Sequence, residues 1–328
     1  MSDTAADAPR LSFLQTLRYW GEAAAFFTFI GFFKILGLDG ASAVGGFIGR
    51  QIFYRIPLIE RARANLKAAY PEKSVEELEQ ILRDMCDNLG RTVAEYAHLD
   101  KIRLDGPDPR ISVPNVAISD GLVAGGKGVM FISGHFANWE VMPFAATQRG
   151  YEGGEVYRPQ NNPYVDRWLV NQRAKNGPKD QISKGAAGLR RIFTLLRRGK
   201  AIFMLVDQKT NEGLPAPFFG RDAMTTPAPA SLALKLGAVL LPVSNERRGG
   251  ARFTMKVYPP IDFTPSGDQD KDTLELTRLI NLAIEKAVRE NPSQWLWLHR
   301  RWPTSRDQDQ VRSKRALQTL AGAGLREG

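Results

Sequence analysis

The chain has three histidines, His98, His135 and His299. His135 stands at the end of an apolar run, in Phe131-Ile132-Ser133-Gly134-His135, and Glu140 comes after four intervening residues. An imidazole and a carboxylate at this spacing suit general-base chemistry. If residues 136–141 open a helix or a tight turn, Glu140 comes back beside His135. A carboxylate on one ring nitrogen fixes the tautomer and leaves the other nitrogen free to take a proton. Such a pair needs no nucleophile from the protein; it activates a hydroxyl that arrives on a substrate. The spacing alone is common, and a structural hydrogen bond is the plainer alternative. The position adds weight. Val129–Ser133 reads as a buried strand, and ligand sites in α/β sheets lie beyond the carboxyl ends of strands. Gly134 lets the backbone turn there and leaves room beside the ring.

Other reactive patterns fall away. Gly121 through Gly128 nearly spells a phosphate-binding loop, but Gly128 stands where a Ser or Thr hydroxyl would hold magnesium, and the glycines precede the strand instead of coming after it. No G-x-S-x-G elbow is present, which disfavours a serine hydrolase of the α/β type. A single cysteine, Cys86, excludes a disulfide framework and a cysteine-rich zinc site. Three histidines leave little material for a catalytic metal cluster, so neither a metal nor a cofactor is expected.

The elements that must position His135 emerge from the rest of the pattern. At 328 residues, 43% hydrophobic and 24% charged, the composition is that of an ordinary globular protein with ample length for a core. Ser74 and Glu77 form a capping box that starts a helix running to about residue 97. Strands are expected at Val129–Ser133, 201–206, 238–243 and 253–258, and helices at 189–196, 231–236 and 272–289. The alternation predicts an α/β fold with a largely parallel or mixed central sheet flanked by helices.

Residues 23–33 are eleven uncharged residues, interrupted at Lys34 and resumed at Ile35-Leu36-Gly37-Leu38. The stretch is shorter than the ~20 apolar residues of a spanning helix. It reads as a short membrane helix or one lying in the interface, with a buried N-terminal helix as the alternative. The arginines at 50, 55, 61 and 63 favour a cytoplasmic face for the chain beyond this segment. The expected organisation is a hydrophobic anchoring segment (1–45), a catalytic domain (46–305) and a polar tail (306–328). The net charge of +10 fits an anionic membrane, an acidic protein partner, nucleic acid or a merely solvated basic surface.

The segment Gly134-His135-Phe136-Ala137-Asn138-Trp139-Glu140 resembles the His-x4-Asp/Glu signature of glycerolipid acyltransferases. Gly-His-x-x-Asn-Trp-Glu is similar, more narrowly, to the bacterial lipid A late acyltransferases, the lauroyl/myristoyl transferase family. Further blocks match in order: Val156-Tyr157-Arg158-Pro159 with Asn162-Pro163, then Val206-Asp207-Gln208, then Pro217-Phe218-Phe219-Gly220 with Ala223 and Thr225. Gly237-Ala238 through Pro242 comes next, and Gln294-Trp295-Leu296-Trp297-Leu298-His299-Arg300-Arg301-Trp302 closes the set. The resemblance spans roughly residues 20–305. Glu140 stands where the broader superfamily has Asp, while within the narrower family Glu is usual.

The resemblance implies transfer of a fatty acyl chain from acyl carrier protein to a hydroxyl of a lipid A precursor, at the inner membrane with the catalytic domain on its cytoplasmic face. The same family pattern also admits another glycolipid acceptor, such as a mannosylated phosphatidylinositol. A non-enzymatic basic membrane-surface protein is the alternative from a different class.

On this view His135 is the base and Glu140 its orienter. Backbone N–H groups after His135, Asn138 or Arg173 are candidate oxyanion donors. Asn138, Trp139, Tyr157, Arg158 and Arg173 are expected at the substrate, the two arginines on phosphate. Asp207 and Gln208 come after a strand and are expected at the same sheet edge, with Asp207 on sugar hydroxyls or positioning a loop. Phe219 and Gly220 are expected to wall an acyl channel or to pack in the core. The basic amphipathic stretch 181–206 suits an acidic carrier protein or anionic headgroups. The tryptophan-rich block 294–302 suits a membrane interface or single-stranded nucleic acid; read as a strand, it puts Trp295 and Trp297 on one face, with core packing of at least one as the alternative. The rest of the chain gives nucleic acid no role, so none is expected.

Overall fold

The computed structural model describes residues 12–302; the polar tail expected at 306–328 lies outside them. Four helices lead: α1 (Phe13–Ile35), α2 (Gly37–Gln51), α3 (Ile59–Ala69) and α4 (Val75–Glu95). The capping box at α4 is complete. Ser74 Oγ accepts from Glu77 N at 3.2 Å, and the Glu77 carboxylate accepts from Ser74 N at 2.8 Å. α2 and α4 meet almost backbone to backbone. A Cβ on Gly49 would lie 2.0 Å from the Cys86 carbonyl oxygen, and one on Gly90 would lie 2.1 Å from that of Gly45. No other residue type allows this crossing.

Strands and helices then alternate: β1 (Ile111–Ser112), α5 (Val116–Ala124), β2 (Val129–Ser133), α6 (Val141–Gln148), β3 (Gly153–Tyr157), α7 (Pro163–Asn176), β4 (Asp180–Ser183), α8 (Ala186–Arg197) and β5 (Ala201–Leu205). A hairpin of β6 (Leu214–Phe218) and β7 (Arg221–Thr225) intervenes before α9 (Ala228–Leu236), β8 (Val239–Gly249), β9 (Arg252–Val257) and α10 (Gln269–Glu290). The main sheet has the order β1-β9-β8-β2-β5-β3-β4. Its strands are parallel except that β9 pairs antiparallel with β8, so β9 and β1 run against the other five. The expected α/β architecture with a mostly parallel sheet is what the chain forms.

β2 lies at the heart of the sheet and is buried along its whole length. Its residues alternate between the two faces. Met130 and Ile132 pack into one core, with Ile202, Met204 and Leu240, while Val129 and Phe131 pack into the other, with Phe203 and Leu241. The three helices expected from apolar periodicity after β2 begin three residues earlier than their patterns, at Ala186, Ala228 and Gln269. In α8 and α10 the first turn carries little of the buried stripe, whereas in α9 it buries Pro229 and Ala230, whose small side chains do not mark the pattern. β6 escapes the sequence pattern because Pro215 and Pro217 interrupt it; it survives as one half of an isolated hairpin, where a missing N–H is tolerated.

The N-terminal segment calls for a correction. α1 is helical as expected, but no helix among the described residues is long and apolar enough to cross a membrane. Instead α1 divides by face. Ile30 and Phe33 are buried, and Phe26 packs edge-on against Trp168 of α7 at 5.2 Å. Phe13, Leu14, Leu17, Trp20, Phe32 and Ile35 are exposed, Ile35 at 86%. For the tryptophan-rich block the core alternative holds and the membrane-interface one does not. Trp295, Trp297 and Trp302 are all buried, packed around Phe218 and Phe219, and form no surface belt.

Candidate active site

Parallel pairing of β2 and β5 aligns Ser133 with Leu205. Two residues beyond each strand end come His135 and Asp207. The ladder continues one step past the strands, with Val206 N donating to Ser133 O at 2.9 Å. Register therefore brings the two side chains together. His135 Nδ1 lies 2.8 Å from Asp207 Oδ1, while Asp207 Oδ2 accepts from the His135 backbone N–H at 2.7 Å and from Trp295 Nε1 at 2.8 Å. A Cβ on Gly134 would come within 3.0 Å of the Asp207 carboxylate, so the glycine makes the close approach possible.

Asp207 is fully buried, and burial alone would raise its pKa. Attraction to the His135 ring in its protonated form, together with the hydrogen bonds from His135, outweighs that and holds Asp207 well below the usual carboxylate range. With Nδ1–H donated to Asp207, His135 carries its lone pair on Nε2, which lies 3.3 Å from Gln208 Nε2. The same amide nitrogen is 3.5 Å from His299 Nε2, and the two imidazole rings are 4.7 Å apart, edge to face. Burial, reinforced by the neighbouring His135, lowers the His299 pKa to about 4, so this second ring is neutral near pH 7.

Glu140 does not occupy the place expected of it. Among the described residues no hydrogen bond joins it to His135. It is fully buried at the start of α6 and is clasped by Arg173 of α7, with Nη2–Oε1 at 2.6 Å and Nε–Oε2 at 2.9 Å. The Tyr96 hydroxyl donates to Oε1 at 2.5 Å, and Trp139 Nε1 donates to that hydroxyl at 3.1 Å. Trp139 in turn sets its ring against His135 at 5.1 Å. The spacing of the motif serves a turn that sends Glu140 away from His135, behind the Tyr96 and Arg173 side chains that line the chamber. A second acid, Glu155 of β3, lies 3.8 Å from Arg173 Nε. Burial, and then repulsion by Glu140, raise its pKa to about 7 despite Arg173.

These groups surround one cavity of about 600 Å³. His135, Gln208 and Trp139 stand on one side and Tyr96, Glu155 and Arg173 on another, while Phe26 and Phe29 of α1 supply apolar wall. Tyr157, Arg158 and Lys184 also line it. Of the expected substrate residues, Trp139, Tyr157, Arg158, Arg173 and Gln208 thus reach the chamber. Arg173 does so as the partner of Glu140 and not as a free phosphate ligand. Asn138 is buried; its Nδ2 donates to Glu95 at 3.0 Å and its Oδ1 accepts from Glu140 N at 3.2 Å. Phe219 and Gly220 do not line the cavity. They form the two-residue turn between β6 and β7, both at positive φ (51° and 67°), as a type I′ hairpin requires.

The loop carrying His135 is held from behind. Ala137 has a φ of 45°, an uncommon conformation for a residue with a Cβ. Its N–H donates to Gln294 O at 2.8 Å and its carbonyl accepts from Thr92 Oγ1 at 2.9 Å. Leu296 N donates to His135 O at 3.2 Å. Beneath lies a buried ion pair between Glu95 and Arg247, with Ser42 Oγ also donating to Glu95 at 2.7 Å. Glu95, Tyr96, Glu155 and Arg247 carry no motif that marks them in the sequence. Gln294 and His299 lie inside the last matching block, the one signal that could have singled them out.

Comparisons with known proteins give the family. The family model described as "Bacterial lipid A biosynthesis acyltransferase" matches residues 9–304. Three relatives come from Escherichia coli (strain K12). The lipid A biosynthesis palmitoleoyltransferase is 27% identical over 74% of this chain and 78% of its own length. The lauroyltransferase is 25% identical over 73% and 77%, and the myristoyltransferase 24% identical over 73% of each. The resemblance read from the ordered blocks is borne out, and the chain belongs to the bacterial lipid A biosynthesis acyltransferase family.

Proposed function

We propose that this chain transfers a fatty acyl group from acyl carrier protein to a hydroxyl of a lipid A precursor, at the cytoplasmic face of the inner membrane, with His135 as general base and Asp207 as its orienter. The observation that carries the mechanism is the 2.8 Å contact between His135 Nδ1 and the buried Asp207 carboxylate, with Nε2 left toward the cavity. The acceptor hydroxyl displaces the Gln208 amide from Nε2 and gives up its proton there. The oxygen attacks the thioester carbonyl and forms a tetrahedral intermediate. Collapse breaks the C–S bond, and the imidazolium returns the proton to the leaving thiolate. Asp207 gains interaction energy as the ring becomes cationic, so its stabilisation is larger in the transition state than before it. The Gln208 amide, freed from Nε2, stands beside the reacting carbon and can donate to the oxyanion.

Two surfaces support the partners. The exposed apolar face of α1 suits a helix lying in the membrane interface, and its opposite face walls the cavity through Phe26 and Phe29. Acyl chains of the acceptor then reach His135 without crossing water. On α8 and at its C-terminal cap, Arg190, Arg197 and Arg198 are exposed beside an exposed Leu189, and Lys184, two residues before the helix, lines the cavity. That arrangement fits an acidic carrier protein delivering its thioester. Arg191 and Lys200, by contrast, are engaged with Asp180 and Glu152.

The test is purified protein with acyl-carrier-protein thioester and a lipid A precursor, read by mass spectrometry. One acyl group should be added, and His135→Ala should lower turnover by roughly 10²–10⁴-fold. Release of free fatty acid without an acylated product would make the chain a hydrolase. Near-wild-type turnover of His135→Ala would remove the base assignment.

A further inference from the structure

The composition leaves few metal ligands, yet the fold gathers two of the three histidines at one point. His135, Asp207 and His299 present ligand atoms that all lie within 4.8 Å of one another. Asp207 has both oxygens committed, Oδ1 to His135 Nδ1 and Oδ2 to the His135 N–H and Trp295 Nε1. It thus stands where metal-ligating imidazoles ordinarily keep an outer carboxylate, which fixes the ring and strengthens the opposite nitrogen as a donor. The available donors are the two Nε2 atoms. Both face one side-chain amide, at 3.3 Å from His135 and 3.5 Å from His299. An N–H₂ group within reach of two imidazole nitrogens marks where their lone pairs converge. A half-turn of the Gln208 amide exchanges its nitrogen for Oε1, a neutral oxygen donor at the same place. Two imidazole nitrogens and one oxygen suit Zn²⁺ and its borderline relatives, not Ca²⁺ or Mg²⁺, which prefer oxygen alone. His135 and Gln208 line the cavity, so solvent is within reach as a fourth ligand, as in a three-ligand zinc site.

We propose that the base centre is also a binding site for a zinc-class divalent metal, held by His135 Nε2, His299 Nε2 and Gln208, and that occupancy shuts the enzyme off. Coordination uses the lone pair on His135 that must accept the substrate's proton, so metal and acceptor exclude each other. The binding claim stands without any activity; the inhibitory half rests on the function proposed above.

The experiment titrates the purified full chain with Zn²⁺ by calorimetry and with Co²⁺ by its visible absorption, which reports nitrogen and oxygen ligation in a four-coordinate site. A single saturable site is expected. His135→Gln and His299→Gln should each abolish it, and Asp207→Asn should weaken it by roughly 10–100-fold through the outer contact. His98→Gln should leave it unchanged, because that buried ring is turned to Phe33 O at 3.0 Å. Thermal melts verify that each variant is folded. If one is not, protection of His135 and His299 in the wild-type chain from diethyl pyrocarbonate by Zn²⁺, read by mass spectrometry, takes its place. Binding that survives both histidine replacements, no saturable binding, or no protection overturns the site. In the transfer assay, Zn²⁺ should raise the apparent KM for the acceptor, reversibly with chelator. Full activity with the site filled overturns the inhibitory half alone.

Discussion

Glu140 and Asp207 are both buried carboxylates that hold side chains lining the same chamber, and their company differs. Asp207 is hydrogen-bonded to an imidazole, a backbone N–H and an indole N–H. Glu140 is locked to a permanent cation, Arg173, and to the Tyr96 phenol. A carboxylate already matched by a guanidinium gains little when a nearby ring takes up a proton. One matched by a neutral imidazole gains much, because its partner's charge appears during the reaction. The Asp207–His135 pair is therefore built to respond to a proton, and the Glu140–Arg173 pair is built to stay still.

The sharpest way to break this division is Asp207→Asn. Loss of the correct tautomer and of the counter-charge should lower kcat by roughly 10³–10⁴-fold, with little change in melting temperature, measured by acyl transfer and calorimetry together. Glu140→Gln should show the reverse emphasis. It leaves the Arg173 guanidinium buried without its charge partner, which costs about 3–5 kcal/mol of stability in such pairs, read by denaturant unfolding. If Glu140→Gln proved stable and catalytically dead while Asp207→Asn stayed active, the roles would have to be exchanged.

Acid distinguishes the surroundings of the two pairs by sign. Glu155 has a folded pKa of about 7, above its ordinary 4.5, so the native state binds more protons than the unfolded chain between these values. Its contribution is fully present below pH 4.5 and is lost as pH rises through 7. His299 is lowered from 6.5 to about 4, so its neutral burial costs stability as pH falls through that window. Melting curves between pH 4.5 and 6.5 should therefore change slope in opposite directions for Glu155→Gln and His299→Gln. Equal slopes would show that the two groups do not titrate independently. The smallest effect is expected outside the chamber. Arg190→Glu on α8 should raise the KM for carrier-bound donor, and less so at high salt, because exposed charges act mainly on association.

Much of this arrangement is legible in the sequence, and the misses have physical reasons. β2 is readable to the residue because an uninterrupted apolar run is buried on both faces, and His135 stands just past its end. The placement of Asp207 and Gln208 at the same edge is readable from the strand before them. Their pairing with His135 is not, because it depends on the register between β2 and β5, and register is a property of two strands together. Nearness in sequence makes Glu140 the natural suspect, but the turn through Ala137 points it elsewhere. Glu155 and Tyr96 carry no local pattern at all; they matter only because α4, α7 and β3 converge. Trp295 and Trp297 look like interface residues by composition and are core because Phe218, Phe219 and Tyr70 surround them.

One helix carries a consequence beyond the site. α1 gives Phe26 and Phe29 to the cavity wall while its outer face stays apolar and exposed. If that face rests on lipid, the chamber and the surface share a wall, and the enzyme meets its acceptor as a neighbour in a plane. The quantity that governs its rate is then the acceptor's mole fraction in that plane. Diluting the acceptor with inert lipid at constant bulk amount should slow the reaction, while diluting the whole suspension with buffer should matter far less once the protein is bound.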